Sequence, residues 1–584
     1  MKQINELKAR IQAFKKYYEI LVLNFNSFVA QFHFLFAMNM FDSRKKALLI
    51  SSSFLTLTFL AYLLLNNFEK FRSNLDDQEK LDSRVTKEVE KIDPLFSPIN
   101  NLQSNFTFEV ISSDSSAKDL FFENFEDNYS SNDSLSIFCF RGNQERNSPS
   151  RGKIKSKPTQ VVLDWVFKTG YDNTITKYGQ WGGGAGWTGQ PLVIHWTKDQ
   201  KNQLGIKDEK FLSNDTALEV IIGSLCGDIY FLNAETGTPT RTHLSIANPI
   251  KGTVSVDPRK NGLLYVGQGI QHTDRLGAYV FDMFKGTEIL HIKGIDSDAR
   301  RKWGSFDSNP IIEEKSGTVF WPAENGLIYK FTIDANKNVG EISKLRYKHD
   351  QLGRAGIESS MAVIGQYGFV SDNSGTVLSI DLKTMNPIWN VSNRDDSDAT
   401  ITLDTEAPGK HFLYTGNEVD LTGPISNAYF RKIDPVTGKE VWKVSRECFG
   451  TPINGKTNSG GILSSPVIGK ALGSDLVYTV FSRVNKENKG EFVAINKKTG
   501  KEVFSLFLDH YSWSSPVDIY DEAGNIYIFL TDVFGTIYLI DGLTGGVLFK
   551  EKTNYIFESS PVVVNDQLFI ASRGNSILSF KIKS

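Results

Sequence analysis

One pattern recurs through residues 190–584: an apolar strand, then Asp or Asn, and shortly afterwards Thr-Gly followed by another strand. Its clearest copies read KIDPVTGKEVWK from Lys432, AINKKTGKEVF from Ala494 and LIDGLTGGVLF from Leu539. A repeat period of about fifty residues, with room for four short strands, is typical of propeller blades. The acidic or amide residue after the third strand of each unit lies at Asn233, Asp282, Asp334, Asp381, Asp434, Asn496 and Asp541. The repeat therefore predicts an all-β propeller of four-stranded blades.

The end of the chain indicates how the ring closes. An eighth third strand, residues 575–582, is followed by no outer strand of its own, which would leave a sheet edge open to aggregation. The segment Val161–Lys168 lies just before the first repeat and has the character of an outer strand. We therefore predict eight blades, with this N-terminal strand completing the last one.

Two recurring motifs have structural explanations. Ser-Ser-Pro-Val opens three units, at residues 464–467, 514–517 and 559–562. Small side chains are expected where the innermost strands crowd around a central channel, and Pro is tolerated at the first residue of a strand. In the segment that runs from Asp or Asn to Thr-Gly, the Asp or Asn side chain hydrogen-bonds nearby backbone groups and Gly supplies a positive φ. The segment therefore makes a turn. We favour these interpretations over a catalytic role for the serines.

The repeated Asp-x-x-Thr-Gly-x-x-x-Trp/Phe segment resembles the repeat of pyrroloquinoline-quinone-type, or quinoprotein-like, propellers. The entry segment Phe140–Asn147 also resembles the start of such domains. The resemblance covers Phe140 to Lys581 and fades at Asp334 and at Lys383–Asn386, where Thr-Gly is missing. It implies that the aromatic residue of each outer strand packs on the turn glycine of a neighbouring blade.

This resemblance implies two classes of function, because fold alone does not determine activity. One class is periplasmic dehydrogenases that bind the quinone and a calcium ion. The other is non-catalytic scaffolds, including a lipoprotein that assists outer-membrane protein assembly. The dehydrogenases typically carry a vicinal disulfide, and many add a Cys-x-x-Cys-His haem motif. Here Cys139, Cys226 and Cys448 are not adjacent and no haem motif occurs. We therefore expect no cofactor, with pyrroloquinoline quinone and calcium as the alternative.

Loops that lead into the innermost strands of a propeller converge at one mouth of its channel. The residues that this register places there are Trp181, Trp187, Gln190, Lys251, Trp303, Asp307, Glu358, Asp404, Trp513 and Glu558. Asp307 and Glu358 would lie on neighbouring blades, as a calcium site or an acid/base pair requires. The alternative is that these charges are solvated and only keep the channel wet. As a set, they mark the expected ligand or partner surface.

A glycine-rich stretch, Gly179–Gln190, contains two of these tryptophans. Its glycines forgo side-chain packing, and two indole rings on such a loop could form a binding platform. In that case the four tryptophans of the mouth would bind a sugar or another polymer. The alternative is a loop that caps the ring, with Trp181 and Trp187 filling the channel.

The first part of the chain predicts where the propeller lies in the cell. Residues 47–65 are uncharged and long enough for a transmembrane helix, and Arg44–Lys46 precede them. Positive charge stays in the cytoplasm, so residues 1–46 are expected inside and the propeller outside, as a single-pass protein of the plasma membrane. Residues 66–134 read as a polar, partly disordered tether, and residues 135–584 as the propeller. Residues 20–38 are also apolar, and translation could instead start at Met38 or Met40.

The composition narrows the choice of partners. A net charge of −2 gives no reason to expect nucleic acid, and the eight histidines show no metal-ligand spacing. No small-molecule ligand is identified by the sequence. The expected function is a membrane-anchored, non-catalytic binding scaffold for other envelope proteins, in the periplasm or outside the cell. The alternatives are the quinone- and calcium-dependent dehydrogenase and the glycan-binding propeller.

Overall fold

Eight antiparallel sheets follow one another around a central channel in the computed structural model. It describes residues 96–112, 122, 124–125, 135–176, 179–186, 189–349, 355–453, 456–484 and 488–584. The predicted cytoplasmic segment, the membrane anchor 47–65 and much of the tether lie outside these residues. Within them, no helix has the length and apolar content needed to cross a membrane. The prediction of an all-β, eight-bladed propeller is confirmed.

Each blade is a meander of four strands, counted here from the innermost strand outward. The strands of blade 1 are Leu192–His195, Leu218–Gly223, Asp228–Asn233 and Leu244–Ser245, and those of blade 2 are Ser255–Val256, Leu263–Gly267, Gly277–Asp282 and Thr287–Lys293. Those of blade 3 are Ile311–Ile312, Thr318–Pro322, Leu327–Thr332 and Ser343–Lys348, and those of blade 4 are Ala362–Ile364, Tyr367–Ser371, Thr376–Asp381 and Asn386–Ser392. The strands of blade 5 are Thr402–Ala407, Lys410–Gly416, Ile425–Ile433 and Glu440–Phe449, and those of blade 6 are Val467–Ile468, Leu476–Ser482, Gly490–Asn496 and Glu502–Phe507. Those of blade 7 are Val517–Tyr520, Ile526–Thr531, Thr536–Asp541 and Val547–Lys552, and those of blade 8 are Val562–Val564, Gln567–Ser572, Ser576–Lys583 and Gln160–Lys168.

Shorter elements decorate the ring. Two helices, α1 (Lys198–Gln203) and α2 (Glu209–Ser213), join the first two strands of blade 1. A 3₁₀ turn, Ala471–Gly473, lies between the first two strands of blade 6. The remaining strands are Thr107–Ile111, Ser150–Arg151, the hairpins Asp172–Thr176 with Gly179–Gly182 and Thr451–Ile453 with Lys456–Asn458, and the pair Glu418–Val419 with Gly460–Gly461.

The N-terminal strand closes the ring as predicted. Gln160–Lys168 pairs antiparallel with the third strand of blade 8, so that Gln160 faces Lys583 and Lys168 faces Ser576. A bulge between Leu163 and Trp165 shifts the register in the middle of the strand. Blade 8 is therefore built from both ends of the described chain, and its outer edge is like those of the other blades.

The repeated turn packs against its neighbouring blade, as the resemblance implies. The Oδ1 atom of Asp434 accepts a hydrogen bond of 2.9 Å from the backbone of Val436, and Gly438 adopts a φ of +70°. The indole of Trp389, from blade 4, covers this glycine and donates to the carbonyl of Pro435 at 3.0 Å. Equivalent contacts are made by Trp165 on Gly237, Trp442 on Gly500 and Phe504 on Gly545. The turn motif is thus the joint between successive blades.

One strand was not anticipated from the sequence. Thr107–Ile111 lies in the predicted tether, yet it pairs with Ser343–Lys348 as a fifth, outermost strand of blade 3. Just before it, the ring of Phe106 stacks on Tyr347 with centroids 5.6 Å apart. This part of the polar stretch before residue 135 therefore packs on the propeller.

The segment Ile137–Arg151, called here the plug, crosses the channel and contacts every blade in turn. Its backbone bonds Val193 of blade 1 and Val256 of blade 2, and it reaches the side chain of Asn309 in blade 3. Its later residues bond Val363 of blade 4 and Leu403 of blade 5.

Two fully buried arginines and a short strand complete the plug. Arg141 donates to the carbonyls of Pro466 in blade 6 and Pro516 in blade 7, at 2.9 and 2.7 Å. Arg146 donates to the carbonyl of Met361 and to the Oδ1 atom of Asn309. Ser150–Arg151 then pairs parallel with the innermost strand of blade 8. The segment noted in the sequence only as an entry motif thus fills the channel.

Candidate binding site at the channel mouth

The mouth is the face that carries two sets of loops: those joining one blade to the next, and those joining strands 2 and 3 within a blade. On the side of blades 3 to 5 these loops bring together six carboxyl groups, which we call the acidic recess: Asp307, Glu324, Glu358, Asp396, Asp398 and Glu418. A small cavity lined by Phe140 of the plug, Glu358 and Asp398 lies next to them. The recess therefore lies directly against the plug.

A lysine ammonium occupies the blade 3 side of the recess. Nζ of Lys251, a buried residue, contacts the carboxylate of Asp307 and lies 3.8 Å from Glu324 Oε1 and 3.9 Å from Glu358 Oε2. Gly269 makes room for this pair, because a Cβ atom there would lie 2.5 Å from Cγ of Lys251. Lys251 is thus an internal counter-ion to three carboxyl groups.

Burial and mutual repulsion set the protonation of these groups. Burial raises the pKa of Glu324 well above its ordinary value, and the charge of Glu358 raises it further. Burial also raises the pKa of Asp307. For Glu358 burial acts in the same direction, but the Lys251 ammonium, a hydrogen bond with Glu324 and the Arg301 guanidinium together outweigh it and lower the pKa. Glu358 therefore loses its proton at a lower pH than Glu324.

The blade 5 side of the recess has no such counter-ion. Burial, followed by repulsion from neighbouring carboxylates, raises the pKa of Asp396, Asp398 and Glu418 well above their ordinary values. Among the described residues, none of the three forms an ion pair with a cation. Oδ1 of Asp398 is buried without a hydrogen-bond partner, whereas Glu418 accepts hydrogen bonds from Ser459 and, at 3.3 Å, from the backbone of Asp398. This half of the recess therefore carries uncompensated acidic groups.

The opposite side of the mouth contains cations and aromatic rings. Arg573 pairs with Glu558 at 3.0 Å and lies 5.2 Å from the ring of Trp181. Lys251, which belongs to the acidic recess, also lies near Trp181, with its Nζ atom 5.9 Å from the same ring. Trp181 is held in a hairpin whose Asp172 pairs with Nδ1 of His272 at 2.8 Å. Trp181 therefore lies between the cationic side and the acidic recess.

The structure brings together some of the sequence-predicted residues and separates others. Lys251, Asp307 and Glu358 meet in the recess, and Trp181 and Glu558 lie beside it. Trp303 is half-buried on a loop of the same face, and Trp513 packs on a small apolar cluster with Leu463, Tyr511 and Val533. Trp187 lies outside the described residues.

Two of the predicted mouth residues lie elsewhere. Gln190 is buried and accepts a hydrogen bond from the backbone of Arg141, so it faces the plug. Asp404 lies inside the innermost strand of blade 5 rather than on the loop before it, and it pairs with Lys497 at 2.7 Å. Lys497 follows the third strand of blade 6, so this pair is at the other end of the channel.

Five residues of the mouth were not predicted from the sequence: Glu324, Asp396, Asp398, Glu418 and Arg573. A usable signal existed for two of them, because Glu324 and Glu418 each lie two residues after the last residue of a second strand. The register of the repeat had been applied only to the loops between blades. It applies equally to the loops between strands 2 and 3, which reach the same mouth.

The carboxyl cluster fits an ammonium group better than a calcium ion. One ligand atom each from Asp307, Glu324 and Glu358 lies within 4.8 Å of the others, a spacing that could hold a metal ion. However, Nζ of Lys251 already lies among them, and calcium takes six to eight oxygen ligands. A divalent ion at this place would be repelled by the lysine. The residues present therefore do not fit calcium while Lys251 stays in position.

Comparison with known proteins supports the fold. No protein-family profile matches the chain, and no curated protein is significantly similar to it in sequence. A solved quinohemoprotein alcohol dehydrogenase, ADHIIG from Pseudomonas putida HK5, superposes with a TM-score of 0.51 at 11% identity, over 77% of this chain and 80% of that one.

Two further solved structures superpose less well. BamB from Moraxella catarrhalis gives a TM-score of 0.42 at 15% identity, over 62% of this chain and 94% of its own. The computationally designed Ika8 protein gives 0.42 at 14% identity, over 62% and 93%. At these identities a likeness concerns the fold alone. The chain is an eight-bladed propeller whose repeat resembles that of quinoprotein-like propellers.

Proposed function

We propose that this protein is a non-catalytic binding scaffold, anchored in the plasma membrane by residues 47–65, whose propeller binds other envelope proteins outside the cytoplasm. The observation that carries the proposal is the position of Lys251, which supplies from within the chain the positive charge that a metal ion would supply in a quinone enzyme. The plug supports it, because it fills the channel with protein and leaves the mouth as a surface.

Site-specific photo-crosslinking tests the scaffold role. A photoreactive amino acid is placed at Ile556, exposed at the mouth, and, as a matched control, at Leu472, exposed on the opposite face. We expect discrete cross-links to envelope proteins from position 556 and none of these from position 472. Equal labelling from both positions, or none from position 556, would contradict a scaffold that uses the mouth.

A specific observation also keeps the dehydrogenase as the second candidate, because three carboxyl groups converge at the mouth. Calorimetry with calcium and absorbance titration with pyrroloquinoline quinone separate the two candidates. The scaffold role predicts uptake of neither ligand by the full-length protein. Tight uptake that is abolished in Glu358→Ala or Asp307→Ala would replace it with the enzyme.

The membrane arrangement is tested separately. If residues 47–65 span the membrane with the N-terminus inside, protease added to spheroplasts reaches the tether and the propeller. The folded propeller can resist digestion, so the tether is the better reporter. An epitope inserted in the tether, near residue 75, should then be lost from intact spheroplasts, while one at the N-terminus should survive until the membrane is lysed. The opposite pattern would reverse the topology.

A further inference from the structure

One half of the acidic recess is paired with a lysine and the other is not. Lys251 lies beside Asp307, Glu324 and Glu358. On the other half, Oδ1 of Asp398 is buried without a hydrogen-bond partner, and Asp398 lines the cavity beside the plug. Buried carboxyl oxygens are normally paired or hydrogen-bonded, so this orphaned atom indicates a cationic group that comes from outside the chain.

The other half of the mouth exposes large apolar side chains, which we call the apolar rim: Phe534, Ile556, Tyr171 and Ile175. They are exposed on loops of blades 7 and 8 and on the hairpin that leads into blade 1, and Ile175 at the hairpin is 82% exposed.

Backbone contacts join the rim to the centre of the mouth. The loop of Phe534 abuts the carbonyl of Tyr555 through Gly535, and the carbonyl of Ile556 accepts a bond of 2.8 Å from the backbone of Arg573. Tyr171 packs against Gly182, next to Trp181. The rim therefore leads to Arg573 and Trp181, and Trp181 lies between Arg573 and Lys251 of the acidic recess.

We propose that the mouth docks an extended polypeptide segment of a partner protein, with a lysine or arginine side chain in the acidic recess and apolar side chains on the rim. This inference rests on the proposed scaffold function and specifies the chemistry of its partner. A small inorganic or polyamine cation would satisfy the recess but would have no use for the rim. A purely apolar segment would leave the carboxyl groups unpaired.

The test uses the full-length protein and fluorescent hexapeptides that alternate phenylalanine with lysine, glutamine or glutamate. Fluorescence anisotropy should show binding of the lysine peptide, at least about tenfold weaker binding of the glutamine peptide, and none of the glutamate peptide. Added salt should weaken binding of the lysine peptide but not of the glutamine peptide, because salt screens only contacts between charges. Equal binding of all three peptides, or no binding at about 1 mM, would overturn the proposal.

Matched variants locate the two halves. Asp398→Asn combined with Glu418→Gln removes the groups that become carboxylates beside a bound lysine but keeps their shape, and should weaken binding of the lysine peptide about tenfold while sparing that of the glutamine peptide. Phe534→Ser should weaken both peptides alike. The controls are Asp475→Asn, an exposed acid elsewhere, and Phe108→Ser, an exposed phenylalanine on the outside of blade 3. Effects in the controls as large as in the mouth variants would place the binding elsewhere.

The outcomes also separate this inference from the scaffold role. Cross-links from position 556 without a preference for the lysine peptide would keep the scaffold and reject the basic segment. Selective binding of the lysine peptide without any cross-linked protein would keep the docking surface and reject the envelope partner. Competition by spermidine as strong as by the lysine peptide would reduce the site to a small-cation site and reject the polypeptide.

Discussion

Buried positive charges are used in two ways in this protein. Arg141 and Arg146 donate to backbone carbonyls of the innermost strands, so they hold the plug in place. Lys251 instead neutralises side chains, because it is the ammonium beside Asp307, Glu324 and Glu358. A charge of the second kind acts on ionisable side chains, so substituting it measures its electrostatic contribution.

Lys251→Met should lower the free energy of unfolding by about 3–5 kcal/mol at neutral pH, because it leaves buried carboxyl groups without their counter-ion. Chemical denaturation measures the change. Lys498→Met, which breaks the exposed pair with Asp475, serves as the control and should cost less than about 1 kcal/mol. A similar small loss in both variants would show that Lys251 does not stabilise the recess.

Asp398 predicts a pH dependence of known sign. Burial raises its pKa in the folded protein, so the unfolded chain gives up this proton first as the pH rises from about 4. Stability therefore falls as the pH rises from about 4 towards the folded pKa of Asp398, and the loss remains at higher pH. Below about pH 4 the group is protonated in both states and costs nothing. Asp398→Asn should match the wild-type protein near pH 4 and exceed it by roughly 1 kcal/mol at pH 7.

Denaturation curves at both pH values check this prediction. The exposed variant Asp475→Asn should show no comparable gain at neutral pH. If Asp398→Asn were less stable than the wild type at pH 7 by as much as at pH 4, the carboxylate would be paired in the folded state.

At the scale of the element, the joint between blades is the turn that follows each third strand. Its glycine takes a positive φ whether or not an aromatic ring covers it, as Gly500 and Gly286 show with φ values of +68° and +67°. They differ in what surrounds them. A Cβ atom on Gly500 would lie 2.8 Å from the indole of Trp442, whereas one on Gly286 would meet nothing within 4 Å.

This matched pair separates backbone strain from packing between blades. Gly286→Ala should cost about 1–2 kcal/mol, the strain of alanine in a left-handed conformation. Gly500→Ala should cost about 1–3 kcal/mol more, because Trp442 must also move. Chemical denaturation of both variants gives the difference. Equal losses would mean that the indole adapts freely and that the contact does not join the blades.

The repeat also explains which elements could be predicted from the sequence. Strands, turns and the closing strand follow from a local pattern copied around the ring, so counting the copies was enough. The plug could not be predicted in this way, because Arg141 is held by carbonyls of Pro466 and Pro516, far away in the chain. Asp404 shows the same limit in the site. The repeat predicted its position in the chain to within a few residues. Along a strand that runs through the channel, a difference of a few residues is enough to put the side chain at the opposite end.

At the scale of the whole molecule, the ring depends on one strand taken from the other end of the propeller. Gln160–Lys168 supplies the outer edge of blade 8 and the indole that covers Gly237 of blade 1. Val161 is buried in the apolar core shared with Leu568 and Phe580. Loss of this strand therefore affects blade 8 and its contact with blade 1 together.

Two truncations test this dependence. A chain that begins at Thr169 lacks the plug and the closing strand, so we expect it to lose cooperative unfolding and to aggregate through the open edge of blade 8. A chain that begins at Phe96 keeps both and should unfold like the full-length protein. Circular dichroism and limited proteolysis compare them. A compact, protease-resistant product from the shorter chain would show that the ring closes without the N-terminal strand.

The closing strand also imposes an order on synthesis. Lys168 bonds Ser576, which is made 408 residues later, so this strand leaves the ribosome long before its partner exists. Pairing across such a separation is slow to form, and unpaired strands are prone to aggregate while they wait. Until Ser576–Lys583 has been made, the exposed Val162, Leu163 and Val166 have no partner strand beside them. The nascent chain should therefore be a client of holding chaperones until that strand has left the ribosome, however stable the finished ring is.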